Sequence, residues 1–270
     1  MRAKILYVSD LTYPARGRRY GDEDTLLTRD LREHFDLALC HPLDATALMD
    51  RFDAVVVRNS GPVLHYQAEY DEFRTAAITR GTRVFNQLTG KADQIGKQYL
   101  VELSDAGYPV IPTTDTDPST LPESAGYIVK PKLGSDSIGL RTVSRDQLTT
   151  LPLDGLLAQP LIDFQYEVSF YFVDRDFQYA LFAPQPDRRW ELQPYQPTDA
   201  DLAFAQRFVD WNAIDHGVQR VDACRARDGE LLLVELEDLN PFLSLALTTD
   251  DRRAAFVNRL VSSLTTFLTL

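Results

Sequence analysis

The first 85 residues alternate short apolar runs with longer amphipathic stretches. Apolar runs rich in β-branched and aromatic residues predict strands, and the amphipathic stretches between them predict helices. The predicted strands lie at residues 4–9, 35–40, 54–58 and 83–85, and the predicted helices at residues 22–34 and 68–80. Strands that alternate with helices are typical of a parallel sheet covered by helices. The pattern therefore predicts an N-terminal parallel α/β domain over residues 1–85.

Two further blocks follow, and together they predict an α/β protein with α+β subdomains. Residues 86–158 contain a helix, a Pro- and Asp-rich link and a β-rich hairpin, whereas residues 159–270 contain an antiparallel set of strands. A helix is predicted at about residues 199–216, and a closing helix at residues 250–267 has one apolar stripe. The residues of that stripe are Ala255, Phe256, Leu260, Leu264 and Phe267.

A hairpin in the last block carries three carboxylates. Alternating runs on both sides of Asp228 and Gly229 predict two antiparallel strands, which place Asp222, Glu235 and Glu237 at one end of one sheet face. Mg²⁺ prefers such oxygen ligands together with substrate phosphates. A solvated hairpin face with ordinary acidic residues explains this segment alone equally well. If the carboxylates hold a metal, we expect them to repel one another without it, which raises the pKa of at least one.

A second segment has the composition of a phosphate-binding loop. A β-rich run contains Lys130 and Lys132, and the residues that follow it include Gly134, Ser135 and Ser137. Glycines allow backbone N–H groups to approach phosphate oxygens, hydroxyl groups add donors, and lysine adds a positive charge. Neither the Walker A order nor the dinucleotide fingerprint is present. An ordinary glycine-serine hairpin turn is the alternative reading of this segment.

Together these segments resemble the ATP-grasp superfamily over most of residues 86–245. In that superfamily a lysine follows an asparagine-led segment, as Lys97 follows Asn86 here. The resemblance implies an ATP-grasp fold behind the N-terminal domain, in which Lys97 and Lys130 bind nucleotide phosphates. It also implies that the backbone of one strand contacts adenine and that an acidic residue contacts the ribose. The matching positions are Gln159, Pro160, Leu161 and Ile162 for adenine and Glu167 for the ribose.

The same resemblance implies roles for the hairpin. Arg220 falls where the superfamily has an arginine that stabilises an oxyanion, and the three carboxylates fall where it has ligands of Mg²⁺ or Mn²⁺. The Glu-Leu-Glu sequence before Pro241 is similar to carboxylate-amine ligases related to D-alanine:D-alanine ligase, bacterial glutathione synthetase and the ureido-serine cyclo-ligase of cycloserine biosynthesis.

The chain departs from the pattern at two places. Glu237 is a carboxylate at a metal position that is often asparagine in the superfamily. The glycine-bearing basic loop expected after the Glu167 strand is missing, and Arg188 and Arg189 lie in that region instead. Either arginine could contact a phosphate or the substrate, but a solvated loop with exposed arginines is the simpler interpretation.

The implied activity is that of an ADP-forming ligase that uses ATP and Mg²⁺. It would activate a small-molecule carboxylate as an acyl phosphate for attack by an amine, with an amino acid or a peptide as the type of substrate. Two alternatives stay open, namely an ATP-grasp small-molecule kinase and a nucleotide-binding, non-catalytic member. The sequence itself does not identify the substrates.

Arg58 follows a buried apolar run in the N-terminal block. Open α/β sheets bind ligands beyond the carboxyl ends of their strands, and arginine can hold a carboxylate with two hydrogen bonds. Arg58 is therefore a candidate substrate residue. The alternative is an arginine that caps the sheet edge by pairing with Asp53 or Glu69.

Composition narrows the class of partner. The net charge of −12 gives no electrostatic basis for binding nucleic acid or an anionic membrane. No apolar segment approaches the length of a membrane span, and we expect a cytoplasmic protein without a signal peptide. The two cysteines, Cys40 and Cys224, form no metal motif or disulfide framework. Small-molecule carboxylate and amine partners are expected, and a homo-oligomer is left open.

Overall fold

The computed structural model describes residues 2–15, 18–58, 63–134, 137–185, 188–239 and 241–270. None of the helices within these ranges has the length and apolar character needed to cross a membrane.

The N-terminal part contains a parallel sheet. The strands of the N-terminal part are β1 (Lys4–Val8), β2 (Pro14–Ala15), β3 (Arg18–Arg19), β4 (Asp36–Cys40), β5 (Ala54–Val57) and β6 (Val84–Phe85). Its helices are α1 (Gly21–Leu31), α2 (Ala45–Leu48) and α3 (Gln67–Arg80). Strands β4, β1, β5 and β6 lie side by side in that order, and each adjacent pair is parallel. The predicted parallel α/β unit is confirmed, and its central strands are buried on both faces as parallel sheets require.

The middle part contains a small antiparallel sheet. Its elements are α4 (Gln98–Asp105), β7 (Tyr127–Pro131), β8 (Arg141–Val143), α5 (Arg145–Thr149) and β9 (Leu156–Pro160). Strand β7 lies between β8 and β9 and is antiparallel to both. The β7–β8 connection contains the glycine-serine segment, so the predicted hairpin after Lys130 is present.

The C-terminal part is built on a larger antiparallel sheet. Its elements are β10 (Phe164–Val173), β11 (Asp176–Ala183), β12 (Gln193–Tyr195), α6 (Asp199–Asn212), β13 (Val218–Ala226), β14 (Leu231–Glu237) and α7 (Asp250–Thr269). The strand order is β12-β11-β10-β13-β14. The predicted hairpin is β13–β14, and Gly229 in its turn has a φ of 97°, which favours glycine. The three-domain boundaries stay a prediction. The N-terminal and C-terminal sheets each lie within one sequence block, whereas β9 of the middle sheet crosses the predicted boundary between residues 158 and 159.

Helix α7 joins the N-terminal sheet to the C-terminal sheet. Its residues Phe256, Leu260 and Leu264 lie in one apolar core with Tyr7 of β1 and Tyr179 of β11. The predicted stripe is correct except at its first position, because Ala255 is exposed and the next inward residue is Val257. A small alanine at the edge of the stripe loses little by facing solvent, whereas the larger valine gains from burial.

Candidate active site

Four functional candidates share one face of the β13–β14 hairpin. Arg220 pairs with Glu237 across the two strands, and Asp222 pairs with Glu235. Residues two apart in a strand point to the same side, so all four side chains lie together. The residues between them, including Leu236, are buried in the opposite layer. The shared sheet face that the sequence predicts for the carboxylates is therefore present.

Arg220 lies between two of these carboxylates. Its Nε and Nη2 atoms donate to Asp222 at 2.8–3.1 Å, its Nη2 donates to Glu237 Oε1 at 2.6 Å, and its Nη1 donates to the Phe242 carbonyl at 2.9 Å. The Ser169 hydroxyl donates to Asp222 Oδ1 at 2.6 Å. Asp222 is thus held by one arginine and one serine. Arg220 therefore compensates the charge of two of the three carboxylates.

Two lysines reach the remaining carboxylate from separate elements. Lys97 follows a 3₁₀ turn at Asp93–Ile95, and its backbone N–H donates to the Lys132 carbonyl at 2.8 Å. Lys130 lies in strand β7. The Nζ atoms of Lys97 and Lys130 are 3.1 and 3.6 Å from Glu235 Oε1. Both lysines are more than nine-tenths buried, so the two predicted nucleotide lysines and a predicted metal ligand form one enclosed ionic group.

Asp93 is a fourth carboxylate of this group that the sequence reasoning missed. Its Oδ2 is 3.2 Å from Lys97 Nζ. Ligand oxygens of Asp93, Glu235 and Glu237 all lie within 4.8 Å of one another, whereas Asp222 is not part of that set. The four-residue spacing of Asp93 and Lys97 could have indicated this contact, because residues four apart can pair across one turn of helical backbone.

The pKa values of these groups reflect burial and close charges. Burial is the largest influence on the Glu237 carboxyl and raises its pKa, and the nearby carboxylates raise it further against the opposing effect of Arg220. Burial also raises the pKa of Asp93. Burial opposes ionisation of Glu235 as well, but Lys97 and Lys130 outweigh it and lower the pKa. The expected upward shift therefore occurs at Glu237, with desolvation rather than repulsion as its main cause.

The donor set fits a hard divalent cation. Asp93, Glu235 and Glu237 offer only carboxylate oxygens, which suit Mg²⁺ or Mn²⁺ and not soft metals. Asp222 is on the same sheet face and could join them only by leaving Arg220. The ligand roles of Asp222, Glu235 and Glu237 stay predictions.

The structure keeps Lys132 away from the lysine pair. Its Nζ is 2.6 Å from Asp115 Oδ2, and that contact lowers the pKa of the aspartate. Gly134 and Ser137 lie in the connection from β7 to β8, where Ser137 and Gly139 have φ angles of 59° and 77°. Ser135 lies outside the described residues. These left-handed positions form a tight turn, and whether it covers phosphates stays a prediction.

The predicted adenine strand is the end of β9. Gln159 and Pro160 are its last residues, and the Gln159 side chain donates to Thr113 Oγ1 at 2.8 Å. Leu161 is 44% exposed beyond the strand, and its backbone N–H already donates to the Gly126 carbonyl. Because Ile162 follows this exposed position, the segment from Gln159 to Ile162 runs from a buried strand to the surface.

Glu167 and the two loop arginines are placed differently from one another. Arg189 forms a salt bridge with Glu167, whereas Arg188 is half-exposed and pairs with Glu191. Burial raises the pKa of Glu167, and Arg189 opposes that rise. Both arginine side chains are about half exposed, which agrees with the solvated-loop interpretation, and Arg189 differs in that it reaches Glu167.

Arg58 is buried at the carboxyl end of β5. Its Nε is 3.2 Å from Asp24 Oδ1, and its Nη2 is 3.8 Å from Glu23 Oε1. Tyr7 and Ser9 also donate to Asp24. The proposed alternative partners Asp53 and Glu69 are wrong, because the arginine points inwards to helix α1 and not along the sheet edge. Its role as a substrate residue stays a prediction.

Known proteins with a similar fold include ligases of the ATP-grasp type. No protein-family model matches the chain. The cycloserine biosynthesis protein DcsG of Streptomyces lavendulae is 26% identical over 251 residues, covering 78% of this chain and 84% of that protein. The crystal structure of D-cycloserine synthetase DcsG superimposes with a TM-score of 0.75 at 23% identity and covers 98% of this chain and 99% of that chain.

Two other ligases have the same fold. ATP-grasp ligase PsnB complexed with a minimal precursor gives a TM-score of 0.66 at 16% identity, covering 97% of this chain and 100% of that chain. D-alanine–D-alanine ligase from Bacillus anthracis complexed with ATP gives 0.66 at 13% identity, covering 99% and 96%. The chain therefore has the fold of these ligases, and the ATP-grasp fold that its motifs predict is confirmed.

Proposed function

We propose that this protein is an ATP- and Mg²⁺-dependent ligase that joins a small carboxylate to an amine and releases ADP. The observation that carries the proposal is the convergence of Lys97 and Lys130 on Glu235, beside Arg220 and Glu237 on the same sheet face. When nucleotide and a cation bind, the two buried lysines can pair with phosphates and the carboxylates can pair with the cation. No buried charge is then left uncompensated.

The first chemical role is to hold the triphosphate. Lys97 and Lys130 would turn from Glu235 to phosphate oxygens, and Glu235 and Glu237 would bind Mg²⁺ together with Asp93 or Asp222. The ion would supply neutralisation of the charge that develops on the transferred phosphoryl group. Glu235 connects the phosphate lysines with the proposed metal ligands, because it contacts both lysines and belongs to the carboxylate cluster.

The second role is to stabilise the acyl-transfer step. The γ-phosphoryl group moves to the substrate carboxylate to give an acyl phosphate. The amine nitrogen then forms a C–N bond as the C–O bond to phosphate breaks, and the nitrogen loses a proton. Arg220 would donate to the tetrahedral oxyanion, and its contacts with Asp222, Glu237 and the Phe242 carbonyl fix its guanidinium for that purpose.

Adenine and ribose would lie near the end of β9 and the Glu167 side chain. The Gln159–Ile162 backbone would contact adenine, and Glu167 would accept from the ribose after exchanging its salt bridge with Arg189. Arg189 would then be free to meet a phosphate. The turn from Gly134 to Gly139 would exclude water from the acyl phosphate.

The substrates are of the amino acid or peptide type. This part of the proposal draws on the relatives, which are a D-cycloserine synthetase, a D-alanine–D-alanine ligase and a ligase solved with a precursor peptide. The cytoplasmic location and the oligomeric state remain predictions.

Hydroxylamine trapping tests the proposal directly. Wild-type protein is incubated with ATP, Mg²⁺, a pool of amino acids and small carboxylic acids, and hydroxylamine as a general amine. A ligase that forms an acyl phosphate will produce hydroxamate together with ADP. A small-molecule kinase would instead release ADP with a stable phosphorylated product and no hydroxamate, which would contradict the ligase assignment.

Lys130→Ala is expected to weaken ATP binding by about 1.5 to 3 kcal/mol, the range for a hydrogen bond to a charged group. The variant loses one of the two buried ammonium groups that are proposed to bind the phosphates. Calorimetry with ATP and Mg²⁺ measures the change. Lys132→Ala is the matched comparison, because Lys132 is paired with Asp115 and should contribute much less. Equal losses of ATP affinity in the two variants would contradict the assignment of Lys130 to the phosphates.

A further inference from the structure

The loop at residues 242–245 holds Arg220 through its backbone. The Phe242 carbonyl accepts a hydrogen bond from Arg220 Nη1 at 2.9 Å. The other hydrogen-bond partners of this guanidinium, among the described residues, are Asp222 and Glu237, which are proposed to bind the metal ion. A cation that pairs with those carboxylates competes with the arginine for their oxygens. The Phe242 carbonyl is therefore the contact that keeps the guanidinium in place when the site is filled.

The backbone of this loop has an unfavourable conformation. Ser244 is buried and has a φ of 52°, in the left-handed region that residues other than glycine rarely adopt. Such a conformation persists only where contacts from the surrounding structure determine it. One of these contacts is the Tyr179 hydroxyl, which donates to the Leu243 carbonyl at 2.6 Å. The loop therefore depends on other elements to present the Phe242 carbonyl to Arg220.

Glu23 of helix α1 supplies two further contacts to the loop. Its Oε1 accepts from the Leu243 backbone N–H at 2.7 Å, and its Oε2 accepts from the Leu245 backbone N–H at 3.0 Å. One carboxylate thus bridges the two residues on either side of Ser244. Hydrogen bonds to an ionised acceptor are roughly twice as strong as those between neutral groups. Glu23 therefore helps to determine the loop conformation, although it lies 220 residues before Leu243 in the sequence.

Arg58 compensates the charge of Glu23 without occupying its oxygens. Its Nη2 is 3.8 Å from Glu23 Oε1, which is beyond hydrogen-bonding distance, and its Nε donates to Asp24. Neither of its Nη atoms has a hydrogen-bond partner among the described residues. Both carboxylate oxygens of Glu23 are therefore directed to the loop.

We propose that Glu23 is a positioning residue for the acyl-transfer step. It fixes residues 242–245 by two hydrogen bonds, and the Phe242 carbonyl then orients the guanidinium of Arg220 towards the oxyanion. This inference rests on the proposed function. It gives helix α1 of the N-terminal part a role in the chemical step, although Glu23 itself does not contact the reacting atoms.

Glu23→Gln tests the inference, because glutamine keeps the shape of the side chain but has only one acceptor oxygen and no charge. The acid found by hydroxylamine trapping is supplied with saturating ATP and Mg²⁺, and hydroxamate formation is followed in a single turnover. The chemical step should slow by roughly tenfold or more, the effect of a displaced catalytic group. ATP affinity measured by calorimetry should stay within about twofold of wild type, since the side chain is remote from the phosphate lysines.

Asp22→Asn is the matched control. Asp22 is the preceding residue of the same helix, and its side chain pairs with Arg19 at the surface. This variant should keep the wild-type rate and the wild-type ATP affinity. All rates are corrected for the folded fraction from thermal melts.

A double variant distinguishes positioning from general support of the fold. If Glu23 acts through Arg220, adding Glu23→Gln to Arg220→Ala should slow the chemical step by no more than about twofold further, because the group that it positions is already absent. If Glu23 only stabilises the fold, the two losses should multiply.

The pH dependence gives a second readout that needs only the single variant. Burial raises the pKa of the Glu23 carboxyl to about 7, Arg58 and the two backbone N–H groups oppose this rise, and Asp24 adds to it. Tyr171 and Tyr179 also interact with Glu23, and burial raises the pKa of both phenols, so they stay neutral in this range. Above this pKa the ionised carboxylate accepts from both N–H groups, whereas below it the protonated acid resembles glutamine. The ratio of the wild-type rate to the Glu23→Gln rate should therefore be largest above a pH of about 7 and fall towards one below it.

Three results would overturn the inference. They are a wild-type rate of the chemical step in Glu23→Gln, multiplied losses in a folded double variant, and a rate ratio that is the same at every pH. In each of these cases the ligase assignment survives, because the wild type still forms hydroxamate. Absence of hydroxamate in the wild type would overturn the ligase assignment and, with it, the role of Glu23.

Discussion

Glu235→Gln is expected to abolish turnover, with a loss on the order of 10³-fold or more. The side chain contacts both candidate phosphate lysines and belongs to the carboxylate cluster, so one substitution removes a proposed metal ligand and a counterion of two buried cations. Metal ions contribute several kcal/mol to transition-state charge stabilisation, and each 1.4 kcal/mol corresponds to a tenfold change in rate.

The same substitution should also lower the free energy of unfolding. It leaves Lys130 without a carboxylate in contact, and breaking a buried pair costs about 3 kcal/mol at the lower end of the measured range. Activity is therefore compared with the folded fraction from thermal melts, at a temperature where both proteins are folded. Glu230→Gln is the control, because Glu230 is exposed in the turn of the same hairpin. Turnover of folded Glu235→Gln near the wild-type rate would exclude Glu235 from the chemistry.

Arg220→Ala is expected to slow the chemical step by roughly a hundredfold or more, the usual effect of losing one oxyanion donor. ATP affinity should not fall, since the arginine is assigned to the acyl group and not to the nucleotide. Single-turnover rates and nucleotide titration measure the two effects separately. A proportionate fall in affinity with no change in the rate of chemistry would assign Arg220 to nucleotide binding instead.

Arg220→Ala should also reveal the electrostatic cost of the site. Asp222 and Glu237 lose the guanidinium that pairs with both of them, which should destabilise the folded protein by about 3 to 5 kcal/mol. Mg²⁺ with ADP should raise the melting temperature of this variant more than that of wild type, because the cation then compensates the freed carboxylates. Arg227→Ala is the control, since Arg227 is exposed on the same hairpin and pairs with exposed Asp163.

The architecture was predictable where local pattern determines structure. The alternating runs around Asp228 and Gly229 specify a hairpin, and strand parity then places Asp222, Glu235 and Glu237 on one face whatever surrounds them. The β1, β4 and β5 strands were similarly evident as apolar runs between helices. These features depend on neighbours in sequence, which is why motif spacing was sufficient to predict the ATP-grasp fold.

The pairing of charges was not predictable in the same way. Arg220 and Asp222 are only two residues apart, but their contact depends on the rotamer of a long side chain and on Ser169 from another strand. Asp93 reaches the cluster because Asp238, directly after β14, accepts hydrogen bonds from the backbone N–H groups of Ala92 and Gln94. These bonds hold the turn that contains Asp93 against the end of β14. That contact spans more than 140 residues of sequence, so the local spacing of Asp93 and Lys97 indicates their pair but not that the pair reaches Glu235.

Arg58 and Lys132 show the same limit. Arg58 was identified as a ligand residue from its position after an apolar run, and Lys132 from the phosphate-loop composition of its segment. In the structure Arg58 is buried against Asp24, and Lys132 is paired with Asp115.

The most direct test of the account is a crystal structure with Mn²⁺ and ADP in which anomalous scattering locates the metal. We predict a peak coordinated by Glu235 and Glu237, with the ADP phosphates in contact with Lys97 and Lys130 and adenine beside Gln159–Ile162. A metal bound elsewhere, or a nucleotide that leaves both lysines paired with Glu235, would contradict it.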